Sequence, residues 1–353
     1  MQAIREAMRR AVVAVCVTGA VAACGGGGRA SGSTAQAGSA SASAGKGSVF
    51  TIAMIAKSST NPVFLSGRTG AEAAAAELSK KYGITVRINW LTPPEEDAEL
   101  QAQRIAQAVN TGANAILVSA SDAGKVTGAI NEAVERGVPV MMFDSDAPQS
   151  KRFSFYGGDD EAIGKQVMSE LAAQMHGKGR VAIFSGNQNA PNLQRRVQGV
   201  KDEAKKYPGI TLIGTFHTIE TPQDAAAEVL RVEQAYPNIQ GWAMVGGWAL
   251  FTRALLTDLD PAKVKIVSVD ALPVELAYVE KGLTPVLLAQ PTYLWGYQSV
   301  HTIFDHVYLH KQVPEHVEMK LVKVTKANLG DWARQLKAWG YPNVDPKYLS
   351  LGK

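Results

Sequence analysis

Residues 138–148 read VPVMMFDSDAP, and this stretch decides how the rest of the chain is interpreted. An almost continuous apolar run ends in Phe143 and is followed at once by Asp144, Ser145 and Asp146. A run without polar–apolar alternation is typical of a strand that is covered on both faces in a parallel sheet. Ligands of open α/β folds bind beyond the carboxyl ends of such strands, so Asp144 is placed to accept hydrogen bonds from a small polar ligand. The alternative is that Asp144 only caps a loop or starts a turn.

Apolar strands of this kind recur along the chain, separated by segments with helical patterns. The other predicted strands fall at residues 49–55, 85–90, 115–118, 153–156, 180–184, 211–215, 241–245, 264–269 and 285–289. Strands that alternate with helices at this spacing predict right-handed βαβ units and parallel sheets. They form two consecutive α/β sets of similar size, and strands in both sets end in polar residues. We therefore predict an α/β protein with two lobes that face each other across a cleft.

The first 24 residues have the pattern of an export signal. Three arginines stand near its start, at Arg5, Arg9 and Arg10. The apolar segment that follows, residues 11–20, is too short for a transmembrane helix. The Val-Ala-Ala-Cys sequence at residues 21–24 resembles a bacterial lipobox, so we expect residues 1–23 to be removed and Cys24 to be lipid-modified. An ordinary cleaved signal or a buried helix is the alternative.

Residues 25–47 consist mainly of Gly, Ser and Ala, which predicts a flexible tether with folding beginning near Ser48. A lipid anchor with such a tether would hold an exported protein at the membrane or cell surface without inserting it. Loss of the signal also removes Cys16, so we expect neither a disulfide nor a cysteine metal site. The 36 basic and 32 acidic residues fall to 33 and 31. This balance gives no electrostatic reason to expect a nucleic acid partner.

Six short motifs occur in a fixed order along the chain. They are NPVF at residues 61–64, FDSDAP at 143–148, YGGDD at 156–160, RRVQG at 195–199, VSVD at 267–270 and AQP at 289–291. Together they resemble the periplasmic sugar-binding proteins of ABC transporters, the ribose-binding-protein-like type I group. The resemblance runs from about Ser48 to Thr325. It implies two Rossmann-like lobes with parallel sheets, joined by a three-strand hinge, with a monosaccharide between them.

The same resemblance implies where the lobes begin and end, with chain crossings near Gly157, Gln290 and Met319. The lobes are then residues 48–157 with 292–318, and residues 158–291 with 319–326. Residues 327–353 extend beyond the family core, and we expect one helix and a loop that pack on the second lobe. The side chains expected to cover the core there are Trp332, Leu336, Trp339 and Tyr341. A partner-binding role for this extension is the alternative.

The family's sugar contacts, carried over position by position, fall on six residues: Asn61, Phe64, Asp144, Arg196, Asp270 and Gln290. Carboxylates accept hydrogen bonds from pairs of hydroxyls, a guanidinium donates in a planar fork, and amides do both. Phe64 offers an apolar face to the C–H groups of a sugar, and Trp248 is a candidate for the other face. The alternatives are core packing for both aromatic residues and a surface ion pair for Arg196.

Three positions depart from the ribose-type pattern. Ser145 stands where the pattern has arginine, Glu220 where it has phenylalanine, and Gly246 where it has asparagine. Because these changes remove two hydrogen-bond donors, the resemblance implies a monosaccharide other than ribose, or a related polyol. Asn189 and Asn192 are candidate replacement donors, although both also suit the entry to a helix.

The function that the sequence favours is the solute-binding component of an ABC importer. Binding of a monosaccharide or polyol would favour a closed hinge state, and a permease would recognise that state. A chemoreceptor or sensor kinase that reads the same closed state is an alternative. We expect a monomer that needs no cofactor and no metal.

Two other classes of protein fit less well. An exported enzyme acting on a sugar would need a catalytic motif, and the chain has no G-x-G-x-x-G after a strand, no G-x-S-x-G, no H-E-x-x-H and no P-loop. We therefore predict no catalytic residue. A sugar-responsive repressor shares the expected fold but needs a helix-turn-helix module ahead of Ser48, where this chain has the signal and tether patterns.

Overall fold

The computed structural model describes residues 48–352. The predicted signal, the tether and the lipidation of Cys24 lie outside the described residues. Within residues 48–352, no helix combines the length and the apolar character needed to cross a membrane.

The first part of the described chain alternates strands with helices. In chain order the elements are β1 (Val49–Ile55), α1 (Pro62–Tyr82), β2 (Thr85–Trp90), α2 (Ala98–Asn110), β3 (Ala115–Val118), α3 (Ala123–Glu135), β4 (Val140–Phe143) and β5 (Ser154–Gly157). Every residue of β3 and β4 is buried, as expected for apolar runs covered by helices on both faces. Strand β4 is the apolar run that precedes Asp144.

The alternation then starts again and gives a second set of elements. They are α4 (Asp160–Gln174), β6 (Lys178–Ser185), α5 (Pro191–Ala204), β7 (Gly209–His217), α6 (Pro222–Ala235), β8 (Gly241–Met244), α7 (Ala254–Asp258), β9 (Lys265–Val269), α8 (Leu276–Lys281) and β10 (Val286–Ala289). The strands β6 to β10 pair in parallel with one another.

The last part of the chain returns to both sets. Its elements are α9 (Thr292–Ile303), β11 (His316–Glu318), β12 (Val322–Val324), α10 (Leu329–Ala338) and α11 (Pro346–Leu349). Strand β11 pairs in parallel with β5, and β12 pairs antiparallel with β10. The strand orders are β2-β1-β3-β4-β5-β11 in one sheet and β7-β6-β8-β9-β10-β12 in the other. The predicted α/β fold with two mainly parallel sheets is therefore confirmed.

We call the sheet of β1–β5 and β11, with α1–α3 and α9, the first lobe, because α9 packs along α1. The second lobe is the sheet of β6–β10 and β12 with α4–α8. Strand order reverses between β1 and β3 and again between β6 and β8. Ligands of open α/β sheets bind at such reversals, beyond the carboxyl ends of the strands. Both lobes therefore have a binding edge at these strand ends.

We call residues 327–352 the C-terminal extension. Tyr348 of α11 donates its hydroxyl to Glu280 of α8, so the extension packs on the second lobe. It also contacts the first lobe, where Trp339 stacks on Tyr293 of α9 with the two ring planes 6° apart. The extension therefore contacts both lobes, with Trp332 of α10 bonded to the carbonyl of Ala271 in the second lobe and Trp339 stacked on α9 of the first.

Candidate ligand-binding site

The strand ends of the two lobes meet, and three hydrogen bonds cross between them. Lys57, after β1, donates to the side-chain oxygen of Asn192 on α5 at 3.0 Å. The side-chain amide of Asn192 donates to Asp144 at 3.1 Å. Asn187, after β6, donates to the carbonyl of Ser121 at 3.3 Å. The binding edges of the two lobes therefore face each other and share one polar boundary.

Asp144 and Asp270 occupy equivalent places in the two lobes, since each follows the fourth strand of its sheet. Both have a left-handed backbone, with φ of 57° and 78°. This conformation costs free energy for a residue other than glycine, and it is concentrated at functional sites where the surroundings hold it in place. In both lobes the strained turn directs a carboxylate into buried surroundings, with 5% of each residue exposed.

Lys57 is a site residue that the sequence reasoning missed. It is 2% exposed, and its ammonium lies 3.7 Å from the carboxylate of Asp144. Burial acts to lower the pKa of Lys57, but the carboxylates of Asp144, Glu96 and Glu220 together raise it. The side chain is therefore a buried ammonium with three N–H donors at neutral pH. It lies near the same carboxylate oxygen of Asp144 that accepts a hydrogen bond from the hydroxyl of Ser119 at 2.8 Å.

Arg196 lies at the centre of the second part of the site. Its guanidinium donates to the carboxylate of Asp160 at 2.8 Å, to the carbonyl of Val245 at 3.2 Å and to the side-chain oxygen of Gln290 at 2.9 Å. The side-chain amide of Gln290 donates onward to Asp270 at 2.8 Å. A surface ion pair, the alternative for Arg196, is excluded because the residue is 3% exposed.

The helix that carries Arg196 lies unusually close to its neighbour α4. A Cβ atom added at Gly164 would be 1.9 Å from the carbonyl oxygen of Arg196, and one added at Gly199 would be 2.1 Å from the carbonyl oxygen of Glu161. Only glycine permits this approach. The two glycines therefore set the position from which the guanidinium reaches Asp160 and Gln290.

Asp160 is the second residue of the site that the sequence did not single out. Burial raises the pKa of Asp160 to about 6, although Arg196 acts to lower it. Burial also raises the pKa of Asp270, against the opposing effects of Gln290 and Arg196. The charge of Arg196 thus acts on both carboxyls, on Asp160 through a direct hydrogen bond and on Asp270 without one.

An acidic cavity of about 690 Å³ lies at one end of the boundary between the lobes. Its lining includes acidic residues from both lobes: Glu95, Glu96, Asp97, Glu99, Asp122, Glu220 and Asp224. Glu220 accepts a hydrogen bond from the backbone N–H of Asn187 at 3.1 Å. Burial, and after it the charge of Glu96 in the opposite lobe, raises the pKa of Glu220 to about 8. Glu220 thus lies at the edge of the polar network, on the acidic side.

A second cavity, of about 430 Å³, lies where α1, the loop after β9 and the C-terminal extension come together. Its lining is mainly apolar and includes Leu65, Phe251, Leu272, Val274 and Trp339. The two cavities thus differ in character, one with an acidic lining and one with a mainly apolar lining.

The aromatic residues predicted to face the ligand pack mainly in the lobes. Phe64 is 3% exposed and its ring centroid lies 5.7 Å from that of Trp295 and 6.4 Å from that of Phe143. Trp248 packs against Phe184 at 6.4 Å. A Cβ added at Gly246 would lie 2.3 Å from the indole of Trp248, which explains why glycine stands there.

Three other predicted residues are placed close to the strand ends. Asn61 caps α1, with its side-chain oxygen accepting from the N–H of Val63 at 3.2 Å. Ser145 is fully buried, and its hydroxyl has no hydrogen-bond partner among the described residues. Asn189 is exposed on the loop before α5 and lines the acidic cavity, whereas Asn192 belongs to the buried network.

The structure thus brings six polar residues into one buried region: Lys57, Asp144, Asn192, Arg196, Asp270 and Gln290. Together they offer ammonium, guanidinium and amide donors beside carboxylate and amide acceptors. This set of hydrogen-bonding groups suits a small polyhydroxy ligand. Among residues 48–352, no three His, Cys, Asp or Glu side chains are grouped so that they could hold a metal ion.

A model of the family described as periplasmic binding protein domain matches residues 52–311. This match covers most of the chain, so the protein belongs to the family of periplasmic binding proteins. The resemblance predicted from the six sequence motifs is therefore confirmed.

Two curated relatives match part of the chain. The D-apiose import binding protein of Actinobacillus succinogenes is 26% identical over 54% of this chain and 59% of its own length. The ribose import binding protein of Bacillus subtilis is 27% identical over 42% of this chain and 47% of its own length. The matched region thus spans about half the length of these relatives.

A solved structure matches over a longer part of the chain. It is a carbohydrate transporter solute-binding protein from Agrobacterium radiobacter in complex with D-arabinose. The TM-score is 0.73 with 25% identity, and the match covers 82% of this chain and 98% of that one. The fold found here is therefore that of a sugar-transporter binding protein.

Proposed function

We propose that this protein is the solute-binding component of an ABC importer and that its ligand is a monosaccharide or polyol. The observation that carries the proposal is the placement of Asp144 and Asp270. They follow equivalent strands of opposite lobes, share a strained backbone conformation and are buried at one boundary with Arg196. Two carboxylates that approach from opposite sides can each accept from neighbouring hydroxyls of a small ring or chain.

The proposed contacts are Lys57, Asp144, Asn192, Arg196, Asp270 and Gln290. In the structure these groups satisfy one another, so a ligand must offer donors and acceptors that replace their hydrogen bonds. Sugar hydroxyls do both. The buried cations Lys57 and Arg196 are already matched by carboxylates, so an uncharged solute adds no unpaired buried charge.

Closure around the ligand is proposed to occur at the three chain crossings between the lobes, with residues 48–157 and 292–318 moving against residues 158–291 and 319–326. The hydrogen bonds that Asn192 makes to Lys57 and Asp144 exist only when the lobes are together. A ligand that bridges the same groups would favour this closed state. The names of the relatives, which are import binding proteins, support delivery to a permease and a non-enzymatic role.

We propose further that the protein is exported and held at the membrane through a lipid on Cys24, with residues 25–47 as the tether. The family is one of periplasmic proteins, which supports export. The lipid anchor rests on the Val-Ala-Ala-Cys pattern alone. Radiolabelled palmitate incorporation that is lost in Cys24→Ser tests it, and equal labelling of both proteins contradicts it.

A thermal-shift screen of the purified protein tests the ligand class. The panel is D-ribose, D-arabinose, D-xylose, D-apiose and xylitol, and a ligand of the native state raises the melting temperature with the logarithm of its concentration. Asp144→Asn and Asp270→Asn are expected to lose that response. Asp258→Asn, at an exposed acid of α7, is the matched control and is expected to keep it. No response to any member, or a full response in both site variants, contradicts the proposal.

A further inference from the structure

The C-terminal extension contacts the residue that follows Asp270 in the chain. The indole N–H of Trp332 donates to the carbonyl oxygen of Ala271 at 2.8 Å, and this bond is buried. Ala271 directly follows Asp270, whose own N–H donates to the carbonyl of Leu288 at 3.0 Å. The backbone of the strained residue is thus bonded to the sheet, and the carbonyl of the residue that follows it is bonded to the extension.

The extension also holds the chain next to Gln290. The hydroxyl of Tyr341 is hydrogen-bonded to the hydroxyl of Thr292 at 2.5 Å, and both groups are buried. The N–H of Thr292 in turn donates to the carbonyl of Gln290 at 2.8 Å. Trp339 adds a stacked contact to Tyr293, the next residue along α9.

The contacts of Trp332 with Ala271 and of Trp339 with Tyr293 are linked, because the two indole rings touch. Trp332 and Trp339 pack edge to face, with centroids 5.7 Å apart and planes at 86°. Asp270 and Gln290 are joined directly by their 2.8 Å hydrogen bond, and the indole pair links the extension's contacts with Ala271 and Tyr293, which are close to them in the chain. Edge-to-face indole pairs add stabilisation beyond the area that they bury.

We propose that Trp332 and Tyr341 are positioning residues for ligand binding, through which the C-terminal extension fixes Asp270 and Gln290. This inference rests on the proposed function, because it assigns these two site residues to ligand contact. A left-handed non-glycine residue persists only where its surroundings hold it in place. Without the indole N–H, the carbonyl of Ala271 is buried without a donor, and the turn relaxes so that the carboxylate of Asp270 moves away from the ligand.

A neighbouring residue provides a control that separates positioning from simple stability. Tyr348 lies in the same extension, is 1% exposed and donates its hydroxyl to Glu280 at 2.9 Å. Its partner is on α8, outside the network of Asp270 and Gln290. Tyr348→Phe therefore removes one partly buried hydrogen bond of the extension without touching the residues that the extension is proposed to position.

The test measures two properties of Trp332→Phe and Tyr348→Phe in the full chain. The first is the dissociation constant for the sugars of the screening panel, by calorimetry. The second is amide hydrogen exchange at Gly247, whose N–H donates to the carboxylate of Asp270 at 3.1 Å. Trp332→Phe is expected to weaken binding roughly tenfold and to accelerate exchange at Gly247 by a similar factor. Tyr348→Phe is expected to lower the melting temperature and leave both properties unchanged.

Wild-type affinity and unchanged Gly247 exchange in Trp332→Phe, with only a lower melting temperature, overturn the inference. If no sugar binds the wild type, the proposed function fails, and Gly247 exchange alone then decides the positioning role. Should Trp332→Phe not fold, Tyr341→Phe, which removes one oxygen atom, takes its place. It is expected to weaken binding severalfold and to accelerate exchange at the N–H of Thr292, and wild-type values for both refute the role.

Discussion

The substitution Lys57→Met tests the site residue that was found in the structure and was not predicted from the sequence. Methionine keeps the length of the buried stem and removes the ammonium. Asp144 then retains its neutral donors Ser119 and Asn192 but loses its countercharge, which lies 3.7 Å away in the wild type. The carboxylate remains 5% exposed, so water replaces little of what is lost.

The expected loss of stability follows from the burial of both partners. Removing one member of a buried ion pair costs about 3–5 kcal/mol, because an uncompensated charge stays behind. The two neutral donors that Asp144 keeps place the expected value near the lower end, at about 3 kcal/mol. With an unfolding entropy of about 2.1 cal/mol/K per residue over the folded part of the chain, the melting temperature should fall by about 5 °C. Ligand binding should weaken by at least about 30-fold, since a buried charged donor is removed.

The assay is urea unfolding of the unliganded protein, followed by calorimetric titration with the sugar that gives the largest thermal shift. Lys165→Met is the matched control. Lys165 forms an exposed pair with Glu161 one helical turn away, and its side chain is 42% exposed. Such pairs contribute little to stability, so the control should behave as the wild type. If Lys57→Met matches Lys165→Met in both measurements, Lys57 belongs neither to the electrostatic core of the site nor to its ligand contacts.

Three further substitutions test other parts of the account. The pKa of Glu220 is raised to about 8 from a usual 4.5. The contribution of Glu220 to the free energy of unfolding is therefore fully present below pH 4.5 and is lost as the pH rises to about 8. This loss is at most about 4–5 kcal/mol, and Glu220→Gln should reduce it. The free energy of unfolding in urea is measured across this pH range, and an equal dependence on pH in both proteins contradicts the prediction. Arg196→Lys should weaken sugar binding more than tenfold by calorimetry, because an ammonium cannot span Asp160 and Gln290 as the planar fork does; unchanged affinity refutes this. Gly164→Ala should lower the melting temperature and the affinity together, because its Cβ would strike the carbonyl of Arg196, and an unaffected affinity would show that α5 can shift without moving the guanidinium.

The strand ends of the site were predictable from sequence because each is marked locally. An apolar run that breaks into Asp144 or Asp270 shows both the strand and the place where it ends. Gln290 and Arg196 were reached through the motif pattern, and their burial follows from packing that no local sequence encodes. Arg196 is buried because Gly164 allows α4 and α5 to approach closely.

Lys57 was missed because a lysine beside Ser58 and Ser59 is typical of a solvated loop. Its burial is decided by Asn192, 135 residues further along the chain, and by Asp144. A usable signal was nevertheless present, since Lys57 follows an apolar strand in the same way as Asp144 does. Asp160 was hidden for a related reason, because an acid in the first turn of a helix is expected there for the sake of the helix dipole.

The C-terminal extension was predicted as a covering segment, and the sequence offered no reason to place it against two lobes. Its tryptophans are spaced so that Trp332 lies on α10 and Trp339 just beyond its end. Which surfaces they contact depends on Ala271 and Tyr293, which only the folded chain brings together.

The most direct measurement of the central claim is a crystal structure of the protein grown with the sugar that gives the largest thermal shift. We predict one sugar molecule between the lobes, with hydroxyls within hydrogen-bond distance of Asp144 from one lobe and of Asp270 and Arg196 from the other. A sugar bound within a single lobe, or one that touches neither carboxylate, would contradict it.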